Sequence, residues 1–560
     1  MKIRYTVKKK KVYPNGSVSF VLNNGIEISE EDMKNFIRND VVSNAFISHT
    51  QSGKEYIKGK VGSGITVEYV PKKKKIKENN FSLPYDSLEN DDFEFVKDYH
   101  FPREMYDELL YWKNDIKNHY VLLLQGARQV GKTYLLKQFG KKEFKSFVYI
   151  DLSEDNNRFL DIYKRLSSNF SYKSDDEGKR LFLLNLLKLY DDSFEDSLDT
   201  LIVIDEIQES CEIYNLMRSF RRCLKSRVAF TGSYIGLTQY SKNFRTAAGD
   251  YTSLTLNSLS YLEFLNAMGL YTKYKRIKSF EKLELTEFEY NFCSKIESAY
   301  DIYTQIGGYP DVIKEYLRTK DVESAKRVIR NLLHSFYNES RRYFEGVIDD
   351  DYFNLSLMLT AQDIIRHTGD LDIEKQTLSF VSSMNQEITR GEKISCLKWL
   401  ISCNLIGVCH EYTDLVKLLT TKTNKYYFTD LGFLNYFVDL LASVNESTKR
   451  GAIGENFVFL YFNSFANTLV PHKNPVKQEF VYYFFSKQDK MEIDFILLTK
   501  SNEKIGVEAK FNRGTVKSAD VALEDGKIDK VIKLIKRYGG VSEDKIIIPI
   551  FMIDHIKKYL

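Results

Sequence analysis

Apolar runs separated by polar breaks give much of the chain a strand–helix–strand rhythm. Val121-Leu-Leu-Leu-Gln125 reads as a short buried strand, and an amphipathic helix pattern follows it through Phe139. Phe147-Val-Tyr-Ile-Asp151, Leu201-Ile-Val-Ile-Asp205 and Arg227-Val-Ala-Phe-Thr231 repeat the apolar-run pattern. Phe101 to Asp115 and residues 153–199 have helical spacing, the second with an apolar stripe through Leu181, Leu184, Leu187 and Tyr190. Alternating strands and helices of this kind predict a parallel α/β sheet. Before it, Val18–Leu22 and Gly64–Val70 have strand character, with a turn at Asn23–Gly25. Ser29-Glu-Glu-Asp before Met33, Phe36 and Ile37 predicts a capped short helix. Residues 71–98 are polar and suit a linker. Residues 280–345 and much of 351–430 read as helical. In the last part, Met491–Leu498 and Ile505–Phe511 alternate as strands across a hairpin at Thr499–Glu503, and the tail over 530–560 reads as a helix and an apolar strand, Ile546–Ile553, that closes the same sheet.

At 560 residues the chain is too long for one core, and three or four domains are expected. Net charge is only +4, which argues against wholesale attraction to nucleic acid and leaves local basic patches such as Lys8–Lys11 and Lys72–Lys75, read as solvated ends of the N-terminal unit. No apolar run approaches a membrane span, and the basic N-terminus lacks the apolar core of a secretory signal, so a cytoplasmic protein with no membrane partner is expected. The six cysteines show no C-x-x-C spacing and read as core residues, and Cys409-His410 is the one hint of a ligand pair.

The chemistry concentrates first at Gly126-Ala127-Arg128-Gln129-Val130-Gly131-Lys132-Thr133, a G-x-x-x-x-G-K-[ST] segment between a strand and a helix. Its glycines let successive N–H groups face phosphate oxygens, and the helix beginning near Lys132 adds a positive N-terminus. Lys132 is expected at the β- and γ-phosphates of ATP and the Thr133 hydroxyl on Mg²⁺. The run ending in Asp205-Glu206 puts two carboxylates at the C-terminal edge of a buried strand, where parallel sheets hold ligands. Asp205 is expected to hold the Mg²⁺ through water, and Glu206 to orient and polarise the attacking water. Ser233, or Thr231, at the end of another strand is the candidate γ-phosphate sensor; a turn serine is the plainer reading of the same position.

These features resemble a family of bacterial and archaeal AAA-type ATPases, through GARQVGKT, LIVIDEIQ, the FTGS strand end, Leu259-Ser-Tyr-Leu-Glu263-Phe-Leu265 and Ile306-Gly-Gly-Tyr-Pro310-Asp311. Ser258 stands where the family usually has a proline. Gly249-Asp250 stands where it usually has Gly-Arg, so an arginine for the γ-phosphate falls to Arg245 or to a neighbouring subunit of a homo-oligomer. The resemblance spans about residue 100 to the end, and implies a winged-helix-like connector after the ATPase core.

In the C-terminal part, strand alternation places Glu492 and Asp494 on one face and Glu508 and Lys510 on one face of the next strand. With these residues this segment resembles the PD-(D/E)XK nuclease fold. The resemblance implies that Asp494 and Glu508 bind a second Mg²⁺ or Mn²⁺, that Lys510 positions a nucleophilic water, and that Glu455 from the preceding helix completes the site. The expected organisation is a small β-rich unit of unassigned role over 1–70, a linker over 71–98, a P-loop AAA-type core over 99–275, a helical lid and winged-helix-like connector over 276–435, and an α/β restriction-endonuclease-like domain over 436–560. The expected function is Mg²⁺-dependent ATP hydrolysis coupled to action on, or binding of, DNA. The alternatives are an ATP-dependent switch or scaffold whose C-terminal domain is catalytically silent, and a nucleotide-binding regulator in defence or mobile-element biology.

Overall fold

The long apolar runs become strands buried on both faces. In the computed structural model, β7 (Val121–Gln125), β8 (Ser146–Asp151), β9 (Thr200–Asp205), β10 (Arg227–Thr231) and β11 (Tyr251–Thr255) form a five-stranded sheet in the order β11-β7-β10-β9-β8, every pair parallel. Alternation divides each strand between two cores. Leu122, Leu124, Leu201 and Val203 enter one, and Val121, Leu123, Ile202 and Ile204 enter the other. Because β10 lies between β7 and β9, the ends of the three site-bearing strands come together at one sheet edge.

The structure describes strands within residues 4–68 at backbone level. From residue 101 to 560 it describes the chain apart from 116, 170–174, 234–243, 246–248, 278–286, 344–398, 413–423, 441–445, 471–472, 479, 487–490, 511–516, 537–538 and 543. The linker expected over 71–98, the turn at 23–25, the short helix after Ser29, most of the helices expected over 351–430, and Lys72–Lys75 therefore lie outside the described residues.

The chain divides into two units, Met1–Leu88 and Glu89–Leu560. The first carries a six-stranded sheet, in the order β3 (Glu27–Ser29), β2 (Val18–Leu22), β1 (Arg4–Val12), β6 (Ile65–Glu68), β5 (Glu55–Val61), β4 (Phe46–His49). The Lys8–Lys11 run is not an end of this unit. It lies inside β1, where Lys9, Lys10 and Lys11 pair with Val21, Phe20 and Ser19 of β2.

In the second unit, the core on one face of the ATPase sheet continues through Tyr261, Tyr300 and Trp399 to Phe457, Phe495 and Ile550. A mixed eight-stranded sheet follows, in the order β13 (Asn424–Phe428), β12 (Ile406–Glu411), β14 (Val481–Ser486), β15 (Met491–Leu498), β16 (Lys504–Lys510), β17 (Lys530–Ile535), β19 (Lys545–Pro549), β18 (Gly540–Val541). β12 and β13, inside the segment assigned to a connector, are strands of this sheet; β12 runs parallel to β14. Strands β14, β15 and β16 are antiparallel, and β16 and β17 parallel. Helix Glu446–Asn463 packs against β16.

One element of the apolar pattern shifts. In helix Asp176–Tyr190 the buried positions are Phe182, Leu183, Leu186 and Leu187, and Leu181 is half exposed. A stripe through 183, 186, 187 and 190 satisfies the same helical spacing, so periodicity left two faces equally eligible. The described cysteines are free thiols, four of them buried. His410 Nδ1 lies 3.2 Å from Asn424 Oδ1.

Candidate functional site

The P-loop owes its shape to positions that side chains disfavour. Gly126 has φ +142°, and a Cβ there would fall 2.1 Å from the Leu256 carbonyl oxygen. Gly131 (φ 96°) and Gln129 (φ 63°) are also left-handed, and Gly131 caps the N-terminus of helix Lys132–Glu143. The Lys132 ammonium lies back over the loop, donating to Gly126 O at 2.9 Å, Ala127 O at 2.8 Å and Ser233 Oγ at 3.2 Å. Burial pushes this lysine down to about 8. Thr231 Oγ1 is spent on Leu124 O at 2.9 Å, so of the two sensor candidates Ser233 is the one beside Lys132.

Thr133 Oγ1 donates to Asp205 Oδ2 at 2.6 Å, and Asp205 Oδ1 accepts from the Glu206 amide at 2.8 Å. A hydroxyl and a carboxylate side by side are oxygen donors suited to a hard divalent cation. Glu206 is left-handed (φ 51°, ψ 44°), which turns it out of β9, and it accepts from Gln208. Burial raises the Glu206 carboxyl despite the Gln208 bond. Arg128, Gln129, Lys132, Thr133, Glu206 and Ser233 line one cavity of about 360 Å³, closed on another side by Leu259, Pro310, Asp311 and Lys314.

Two neighbours of this cavity were missed in the sequence. Tyr149 on β8 donates to Asp205 Oδ2 at 2.9 Å and Asp151 Oδ2 at 3.0 Å. Nothing in the run 147–151 points to this role, because only the sheet register sets β8 beside β9. Arg103 bonds both Glu263 oxygens, at 3.1 and 3.2 Å, and the Val130 and Asn257 carbonyls at 2.8 and 2.6 Å. It thus ties the P-loop to the Ser260–Glu263 capping box. Asp250, in place of the family's arginine, accepts from Arg218, Arg221 and Arg222 at 2.8, 3.0 and 3.3 Å. The basic side chains lining this cavity are Arg103, Arg128, Lys132 and Lys314 among the described residues; Arg245 is not among its lining residues, and its amide is bonded to Asn215.

The family's two turn segments are joined to β13. Leu259 N donates to Gly308 O at 2.7 Å, and Gly308 N donates to Asp430 Oδ2 at 2.8 Å. Asp430, just beyond β13, also accepts from Gly432 N at 2.8 Å. Gly307 (φ +71°) allows the close approach; a Cβ there would lie 2.1 Å from Asp430 Oδ1.

β13 leads to the second group of titratable residues. The register of β15 and β16 pairs Phe495 with Val507 and so sets Asp494 beside Glu508. Lys510 Nζ lies 3.4 Å from Glu508 Oε2 and 3.8 Å from Asp494 Oδ2, and Asp494 Oδ2 accepts from Ala509 N at 2.9 Å. Glu455 accepts from Tyr427 Oη at 2.5 Å. Burial and Glu455 raise Asp494, and burial and Asp494 raise Glu508. Burial works against the Lys510 charge, but Asp494 and Glu508 outweigh it and hold the ammonium above its ordinary value. Glu455, Asp494, Glu508 and Lys510 are therefore brought together. Lys425 was missed: its Nζ sits 2.5 Å from Glu492 Oε1 and 3.5 Å from Glu455 Oε1. As folded, the carboxylates are paired with lysines, and among the described residues no group of three or more His, Cys, Asp or Glu is arranged to hold a metal ion. This arrangement does not fit the second metal that the resemblance implies.

An all-parallel sheet with a P-loop, an Asp-Glu strand end and a polar strand end between them defines a P-loop nucleotide site. Residues 118–265 match the family model described as an AAA domain, so this stretch is an AAA-type ATPase domain. Residues 297–444 match a domain of unknown function, DUF8612. No curated protein matches the chain. Among solved structures the chain is similar to the Walker-type ATPase of Pyrococcus abyssi, at 16% identity and TM-score 0.37 over 60% of this chain and 96% of that one. It is also similar to the ORC2 protein of Aeropyrum pernix, at 13% identity and TM-score 0.31 over 62% and 96%. A third is the Holliday junction branch migration motor RuvB of Thermotoga maritima, at 12% and 0.26 over 57% and 92%. Likenesses this distant carry no argument about activity. Among the described residues no helix is long and apolar enough to cross a membrane.

Proposed function

We propose that this ATPase hydrolyses ATP with Mg²⁺ and uses the nucleotide state to govern a C-terminal nuclease-like domain that acts on DNA. The observation that carries the proposal is the bonded route from the nucleotide cavity to the acidic cluster. Leu259 lines the cavity and bonds Gly308, Gly308 bonds Asp430, and Asp430 lies two residues beyond the strand that bears Lys425 and Tyr427.

In the ATP site, Lys132 binds the β- and γ-phosphates, leaving the loop carbonyls it now covers. Thr133 and Asp205 hold the Mg²⁺, which supplies charge neutralisation at the phosphates. Glu206, turned out of the strand, orients the attacking water, and Ser233 contacts the γ-phosphate. A neighbouring copy supplies the arginine, because Asp250 stands where the family has its own. Support for the nuclease-like reading is the helix Glu446–Asn463 followed by three antiparallel strands, with Asp494 beside Glu508 and Lys510. The test is nicking of duplex and single-stranded DNA by the full chain with ATP and Mg²⁺ or Mn²⁺. Nicking lost in Asp494→Ala supports the reading, and DNA left intact by the unmodified chain removes cleavage.

The second reading, a switch or scaffold with a silent C-terminal domain, is favoured by one observation: Lys425 already pairs with Glu455 and Glu492. Under it, Lys132→Ala abolishes function and Asp494→Ala does not.

A further inference from the structure

The C-terminal cluster contains four carboxylates, Glu455, Glu492, Asp494 and Glu508, and two ammonium groups. Lys510 comes from the same strand as Glu508. Lys425 comes from β13, at the far edge of the sheet, and its presence there needs an explanation. It is 7% exposed, with its ammonium 2.5 Å from Glu492, 3.5 Å from Glu455 and 5.0 Å from the centre of the buried Tyr483 ring. Stripping water from a lysine and from the carboxylates it faces offsets most of their attraction, so the placement is weak evidence of a stabilising role. Tyr427, two residues on and on the same face of β13, is fixed against Glu455 from the same side. The strand therefore delivers a cation and a donor to one carboxylate. At the opposite end of the cluster, Glu508 Oε1 is buried without a hydrogen-bond partner. Glu508 Oε1 is thus an enclosed acceptor with no hydrogen bond, beside carboxylates whose charge is faced by lysines, and such a group calls for an explanation.

We propose that Lys425 is the built-in counter-cation of this cluster. It stands among Glu455, Glu492 and Asp494 in place of a divalent ion, and the cluster takes a divalent cation only when the Lys425 charge is removed. The inference rests on the nuclease-like reading of these residues and adds the means by which the site is held closed.

The experiment measures Mn²⁺ binding to the nucleotide-free full chain by the resonance signal of free Mn²⁺. Three proteins are compared, each with and without Asp494→Asn: the unmodified chain, Lys425→Met, and Lys425→Met with Glu492→Gln. The double substitution removes one charge of each sign and keeps a folded test available should the single one unfold; folding is followed by circular dichroism. The expected result is one Mn²⁺ bound about tenfold or more tightly in both Lys425 variants than in the unmodified chain, the scale on which groups around a metal site tune its affinity. Asp494→Asn removes that gain. Folded Lys425 variants that bind Mn²⁺ no more tightly overturn the proposal. If the unmodified chain already binds Mn²⁺ through Asp494 as tightly, the counter-cation role fails while the nuclease-like reading stands. If no protein binds Mn²⁺ through Asp494, both fail.

Discussion

Tyr149 on β8 donates to Asp205 on β9 across 2.9 Å, at the same carboxylate oxygen that accepts from Thr133. Burial and the two neighbouring aspartates push its phenol far above the ordinary value, so it stays a donor throughout the working pH range. Tyr149 thus orients the carboxylate assigned to Mg²⁺. Tyr149→Phe is expected to raise the Mg²⁺ concentration that half-saturates ATP turnover by about 10–100-fold, the usual penalty for losing a partner of a metal ligand. A Mg²⁺ titration checks this, and an unchanged midpoint would reduce Tyr149 to packing.

Lys132 has a consequence for pH. Burial lowers it to about 8 in the nucleotide-free protein, and phosphates restore the preference for the ammonium. At about pH 6.5 the lysine is already charged and ATP binding takes up no proton there; above about pH 8 it must gain one, so affinity falls as pH rises through that value. Calorimetry at about pH 9 in two buffers of different ionisation heat should show uptake approaching one proton, against none at the lower pH. Equal heats in both buffers at the higher pH would count against this role for Lys132.

Asp430 holds two amides that no water reaches, those of Gly308 and Gly432. Asp430→Ala is expected to cost about 1–3 kcal/mol for each amide left unpaired, and Asp430→Asn less, because one oxygen can still accept. Urea denaturation measures the difference. A change within about 0.5 kcal/mol, the range of neutral surface substitutions, would show that the turn stands without the clip.

The nucleotide site was largely legible because its residues are close in sequence and their spacing follows from the backbone. Gly126 to Thr133 is one loop, and Asp205-Glu206 ends one apolar run. The choice of Ser233 over Thr231 needed coordinates, since both end the same strand and only the hydrogen bond to Leu124 removes Thr231. Tyr149, Arg103 and Lys425 act across strand order or between distant segments, and neither is written in local periodicity. Lys425 in particular falls in the segment assigned to the helical lid and winged-helix-like connector; its place in the cluster depends on β12 joining β14 in parallel. The buried face of helix Asp176–Tyr190 was ambiguous for the opposite reason, since leucines on both sides satisfied the period.

Control of the Asp494–Glu508 cluster by the nucleotide site is tested most directly by nicking of supercoiled DNA with the full chain, ATP and Mg²⁺ or Mn²⁺. The account predicts nicking by the unmodified chain and altered nicking in Glu206→Gln, which is expected to hold ATP without turning it over. It also predicts that Asp494→Ala does not nick while ATP is still consumed. DNA left intact by the unmodified chain, or nicking that persists in Asp494→Ala, would contradict it.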